Sequence, residues 1–123
     1  MSRDNPTAPL IHRIEDGARV VYDGHRNVAR EIVDPVEARW LLQLAQDGIR
    51  SGRVLHLGGG FCVLAWLMGP LFDHTIVEIE PEFKQFCPPY AGFICADAST
   101  FRSDGYDIIF RTYDNQVMER RNA

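Results

Sequence analysis

Three glycines and the carboxylates that follow them set out the chemistry open to this chain of 123 residues. Gly58, Gly59 and Gly60 come directly after the apolar run VLHL. A strand, a glycine cluster and a helix, in that order, let a ligand approach the backbone and meet unpaired N–H groups. Gly58 and Gly60 have the G-x-G spacing, but Cys62 stands where a third spaced glycine would complete a dinucleotide fingerprint. No GK[ST] follows, which disfavours a phosphate-gripping loop. Glu78 lies 20 residues after Gly58, near the end of IVEIE. A carboxylate at such a strand end accepts hydrogen bonds from ribose hydroxyls, and Glu80 is a near rival for the role. Asp97 closes GFICAD, where a carboxylate can meet an exocyclic amine. The glycines alone read as a plain turn as readily as a ligand loop. Glycines, Glu78 and Asp97 in order favour a nucleoside site.

Other reactive residues are less organised. His12, His25, His56 and His74 are scattered, which argues against a metal site. His56 lies inside VLHL, where a core role and a cofactor-adjacent role are equally open. Cys62 starts a helix and so has a route to a lowered thiol pKa. No histidine is spaced to pair with it, and it reads as a small packing residue. Tyr22 and Tyr113 are candidate lining for a substrate pocket, while Trp40 and Trp66 read as core.

The elements that must position these residues are legible from periodicity and turn signals. Residues 1–9 read as a disordered lead-in and 10–123 as a single domain. Within it, 10–30 reads as a β-hairpin turning at Asp16-Gly17 and ending at Asp23-Gly24. Asp34, Pro35 and Glu37 open a helix over 34–48, with Trp40, Leu41, Leu44 and Ala45 at helical spacing and Gly48 as its stop. The core, 53–115, alternates strands with short helices. VLHL, HTIVEIE, GFICAD and YDIIF read as strands. FCVLAWLMGPL (61–71) and PEFKQFC read as helices. This alternation predicts an α/β fold with a parallel sheet. The tail VMERRNA reads as a helix extension or a partner-docking segment.

Composition narrows the function classes. The chain is 46% apolar and 24% charged, as in an ordinary soluble domain. A net charge of −4 argues against nucleic acid and anionic membranes, and Arg111, Arg120 and Arg121 are the late candidates for a basic patch. The N-terminus lacks an apolar core long enough for a secretory signal, and the longest apolar stretch, near residues 61–72, is too short to span a bilayer. Three cysteines with no CxxC argue against a disulfide scaffold or a zinc site. A reducing, cytoplasmic setting is the simplest expectation.

Taken together, VLHLGGG, IVEIEPEF, ICADASTF and YDIIF resemble the nucleoside-binding half of the class I S-adenosylmethionine-dependent methyltransferases, and most of all the spermidine synthase branch. The likeness runs over about residues 10 to 115. It implies a Rossmann-like partial sheet of about four parallel strands in the order 3-2-1-4, preceded by a hairpin. It implies S-adenosylmethionine or a related nucleoside as cofactor. Gly58, Gly59 and Gly60 would then lie beside its methionine end, Glu78 on its ribose, Ile79 against the adenine face and Asp97 near the adenine, with Ala98 offering a backbone contact. The chain departs from that branch at Phe61 and Cys62, where an acidic residue and a glycine are usual. It also departs at RTYDNQ, where Thr112 takes the place of the catalytic aspartate and Asp114 is the nearest carboxylate. These departures argue against aminopropyl transfer. A sheet ending at YDIIF would leave that apolar strand at an open edge, which predicts a homodimer. Two functions follow as expectations. One is a small transferase whose acceptor, a small molecule or a protein, is unknown. The other is a catalytically inactive protein–protein interaction module.

Overall fold

A computed structural model of the chain describes residues 11–15, 18–23, 26–32, 34–60, 62–112 and 116–121. The lead-in 1–9, the Asp16-Gly17 turn, Phe61, Tyr113 and Asp114 lie outside them, as do the side chains of His12 and Tyr22.

Three strands open the fold: β1 (Ile11–Glu15), β2 (Ala18–Asp23) and β3 (Arg26–Ile32). They pair antiparallel in the order β1-β2-β3. Glu15 pairs with Ala18 and Asp23 with Arg26. The expected hairpin is thus a three-stranded sheet, because β3 pairs with β2 beyond the point where the unit was expected to end.

Helix α1 (Pro35–Gln46) begins where its sequence says it should. The Asp34 carboxylate accepts from Val36 N at 2.8 Å, and Pro35 fills the first turn. Trp40 and Leu44, one helical turn apart, are its buried residues. Asp47 caps the other end, and Gly48 turns away with φ +72°.

The main sheet contains β4 (Gly52–Leu57), β5 (Phe72–Glu78), β6 (Ala91–Cys95), β7 (Ile108–Arg111) and β8 (Val117–Arg120). Its order is β6-β5-β4-β7-β8. The first four are parallel and β8 is antiparallel to β7. The chain is therefore an α/β protein with a five-stranded, mostly parallel, broadly Rossmann-like sheet. Three expectations change with β8. The sheet has one strand more than expected, VMER is a strand and not a helix extension, and the apolar β7 is not an edge. Within the described residues the sheet edges are β6 and β8, so the reason given for a sheet-continuing dimer at β7 no longer holds.

Central strands are buried on both faces, which is why VLHL shows no alternation. One face packs Val54, Ile108 and Phe110 against Trp40, Leu44 and Leu64, with the Trp40 and Phe110 rings stacked at 5.3 Å. The other face packs Leu55, Leu57, Val77 and Ile109 under Ala96, Ala98, Phe101 and Tyr106, which lie just after β6 or just before β7. Two helices are shorter or tighter than the sequence suggested. Helix α2 covers only Val63–Met68 and stops at Gly69, whose φ is +85°. The segment Pro81–Phe86 is a 3₁₀ helix.

Candidate functional site

The chain runs outward from β4 to β5 and β6, then returns to place β7 on the other side of β4. The carboxyl ends of β4 and β7 therefore flank a topological switch point, the usual place for a ligand crevice in an open α/β sheet. A cavity of about 350 Å³ lies there. Gly58, Gly59 and Gly60 form part of its wall, with Cys62, Val63 and Leu64 from the start of α2. Asp34 and Glu37 from the start of α1, His56, Thr112 and Gln116 complete the lining.

Each glycine is required by its geometry. Gly58 and Gly60 have φ of +82° and +53°, in the left-handed region that disfavours residues with a Cβ. A Cβ on Gly59 would lie 2.5 Å from Ile76 Cγ2, so this residue lets the loop press onto β5. Cys62 then adopts φ +63° despite its side chain, at a cost of roughly 1–2 kcal/mol.

The loop uses its own donors. Gly58 N donates to Val77 O at 2.8 Å and Cys62 N to Gly59 O at 2.9 Å. Gly60 N donates to Glu78 Oε1 at 2.9 Å. These amides are taken, so the loop is not set up as a phosphate cradle. Among the described residues no lysine or arginine lines the cavity, whereas two carboxylates do. Asp34 and Glu37 lie three apart on one helix face, which brings both to it.

Thr112, level with Gly58 across the sheet, acts as a strap. Its hydroxyl is bonded to Gly58 O and lies 3.2 Å from Leu57 O. The single hydroxyl proton is committed to loop carbonyls, and a threonine has no basic site to replace a carboxylate.

His56 and His74 form a buried pair. His56 Nε2 and His74 Nδ1 are 2.8 Å apart, and His74 Nε2 is 2.9 Å from Gly69 O. Burial holds the His56 pKa well below its ordinary value, helped by the charge of His74. Burial also lowers that of His74, against the Gly69 carbonyl and Asp73. Both rings are therefore neutral near pH 7. A carbonyl only accepts, so His74 Nε2 carries the proton and its Nδ1 accepts from His56 Nε2. This assignment leaves His56 Nδ1 an acceptor, on a ring that lines the cavity.

Away from the cavity, the same sheet edge carries the other expected residues. Glu78 pairs with Cys95 in register, so Glu78 and Asp97 lie near the ends of β5 and β6. The second Glu78 oxygen accepts from Glu80 N at 3.3 Å. Glu80 itself shares a hydrogen bond with Glu82 that raises its pKa, with the charges of Glu82 and Glu78 adding to the effect. Ile79 is 58% exposed. Asp97 Oδ1 accepts from Ser99 N at 2.9 Å and from Ser99 Oγ at 2.7 Å, and these bonds lower its pKa. Ala98 packs beneath the sheet with Phe101 and Tyr106.

The structure thus gathers Gly58, Gly59 and Gly60 around a cavity and leaves Glu78, Ile79, Asp97 and Ala98 along an adjoining rim. Asp34, Glu37 and Gln116 belong to the cavity but were not anticipated there. Asp34 and Glu37 carried a helix-start signal that masked a second use. The late arginines are engaged elsewhere: Arg111 and Arg121 with Glu119, and Arg120 with Asp47. Among the described residues no helix is long and apolar enough to cross a membrane, and no group of three or more His, Cys, Asp or Glu side chains could hold a metal. No family model, curated protein or solved structure matches the chain.

Proposed function

We propose that the carboxyl edge of the main sheet binds a cationic nucleoside of the S-adenosylmethionine type. Its sulfonium would enter the cavity, and its ribose would rest on Glu78. The observation that carries this reading is the meeting of a glycine loop with Asp34 and Glu37 in a cavity that, among the described residues, has no lysine or arginine in its lining. A unit charge about 4 Å from a carboxylate gains or loses about 4 kcal/mol before desolvation near a protein surface. Two carboxylates in the lining would favour a sulfonium over a phosphate.

The rim supplies the remaining functions. Glu78 uses one acceptor site on each oxygen for Gly60 and Glu80, which leaves room for two ribose hydroxyls. Exposed Ile79 offers an apolar face to adenine. Asp97 keeps Oδ2 for an exocyclic amine, and Ala98 offers its backbone. From β4 to β6 is two strand spacings, about 10 Å, a span that fits an adenosine. Transfer would be attack by an acceptor nucleophile on a carbon bound to the sulfonium, which leaves as a thioether. Such a step depends on alignment more than on a strong base. Self-association that continues the sheet would run through β6 or β8, its edges among the described residues.

A second reading, an interaction module without catalysis, is favoured by the engagement of Thr112 with the loop and by exposed Ile94 on the β6 edge. Calorimetric titration with S-adenosylmethionine, S-adenosylhomocysteine and methylthioadenosine separates the two. The nucleoside reading expects heat and a raised melting temperature, with affinity weakened about tenfold in Glu78→Ala. No heat and no thermal shift with any of the three would remove it.

A further inference from the structure

Cys62 and Cys87 flank β5 in the chain, yet they pack in one cluster with Ala65 and Ile76. Cys62 Sγ lies 3.5 Å from Gly60 O and Cys87 Sγ 3.8 Å from Ala91 O, and Cys87 packs against the cluster that holds Cys62. The two segments that carry them are already tied together. Trp66 Nε1 donates to Phe86 O at 2.7 Å, and the Tyr90 hydroxyl donates to Ala65 O at 2.8 Å. Cys62 ends the glycine loop in the left-handed conformation, and its carbonyl accepts from Trp66 N at 3.1 Å. Cys87 directly follows the 3₁₀ helix. The third thiol, Cys95, is exposed and sits 3.3 Å from Ile79 O on the rim.

We propose that Cys62 and Cys87 are a redox site, closing a reversible disulfide by exchange with a small-molecule disulfide and so clamping the end of the glycine loop. Their exposures differ in the way such a pair requires. Cys87 is half-buried and reachable, whereas Cys62 is only 2% exposed and reacts from within. The side chain of Cys62 lowers the Cys87 thiol pKa, with the positive charge of Lys84 adding to it and burial opposing. Cys87 is therefore the attacking thiolate. It bonds to one sulfur of the oxidant, whose S–S bond breaks and releases one thiolate. That thiolate takes the proton of Cys62. The new Cys62 thiolate attacks Cys87 Sγ, forms the intramolecular S–S bond and expels the second half of the oxidant. The two cysteines lose two electrons together, and the oxidant is reduced to two thiols. The bridge would fix the first residues of α2, and with them one wall of the cavity. This inference does not rest on the nucleoside reading.

Equilibration of the full chain in reduced and oxidised glutathione mixtures, followed by alkylation and peptide mass mapping, tests it. A Cys62–Cys87 bridge is expected, with Cys95 still alkylated. Cys95→Ser should leave the midpoint unchanged, and Cys62→Ser should trap Cys87 as a glutathione adduct. Amide exchange at Gly60 and Cys62 should slow about tenfold on oxidation. Mixed adducts alone, or a bridge that includes Cys95, would overturn the pairing. Unchanged exchange in the bridged protein would overturn the clamp.

Discussion

The two halves of the sheet's carboxyl edge are built on opposite plans. At β4 and β7 the backbone folds over a cavity, its loop amides are used internally and acids come from a neighbouring helix. At β5 and β6 the edge is an open rim, where Glu78 and Asp97 keep unused acceptor capacity and Ile79 faces solvent. The cavity is set by packing, so its residues are hard to change singly. The rim is set by side chains on a finished backbone. Substitutions in the cavity wall should therefore cost stability first, and those on the rim should cost ligand binding alone.

The largest expected effect is at Gly59. Its replacement by alanine drives a Cβ into Ile76 and should cost about 1–3 kcal/mol. Thermal unfolding would register this as a drop of roughly 4–8 °C per kcal/mol. An Ile76→Val background should not lessen that cost, because Cγ2 remains, whereas in an Ile76→Ala background the added cost of Gly59→Ala should shrink. An undiminished cost in the Ile76→Ala background would mean that the loop is not held by that contact. Next comes Glu78, which stands between the two regions. Glu78→Ala removes the acceptor of Gly60 N and should cost about 1–3 kcal/mol besides weakening the ligand. An unchanged melting temperature would place Glu78 wholly on the rim.

Mild acid should act first on the buried histidine pair beside the cavity. His56 and His74 are held neutral in the fold, while in the unfolded chain they protonate near 6.5. The unfolded state then binds more protons below that pH. Their contribution is whole above about pH 6.5 and is lost as pH falls toward the lower folded values. Urea midpoints at pH 7.5 and 5.5 should fall in that order; a flat or rising midpoint would contradict the buried neutral pair. The smallest effect is expected at Asp97→Asn. This exposed side chain should leave the melting temperature unchanged and weaken S-adenosylmethionine about threefold. Loss of fold in that variant would show the rim to be structural after all.

What could be read in the sequence follows the same division. The ordered glycines and acids, Asp34-Pro35 and the apolar strands are local signals, and they located β4 to β7, α1 and the rim. The strand at Val117–Arg120 was not legible, because VMER has no alternation and few β-branched residues, and only pairing with β7 makes it a strand. Nor was the acidic cavity. The same Asp34 that caps α1 through one oxygen also lines the cavity, and the sequence records only the cap. His56 is both buried and part of the cavity lining, a combination that its place inside VLHL does not reveal.

The central claim is that the cavity selects a cation, and charge selectivity tests it most directly. S-adenosylmethionine and S-adenosylhomocysteine differ by one methyl group and one positive charge. Both should be titrated by calorimetry into the wild-type chain and into the Asp34→Asn, Glu37→Gln double variant, in which asparagine keeps the helix cap. The wild type should favour the sulfonium about tenfold, or about 1.4 kcal/mol, and the variant should bind both alike. Equal affinities in the wild type, or a preference that survives in the variant, would contradict the account.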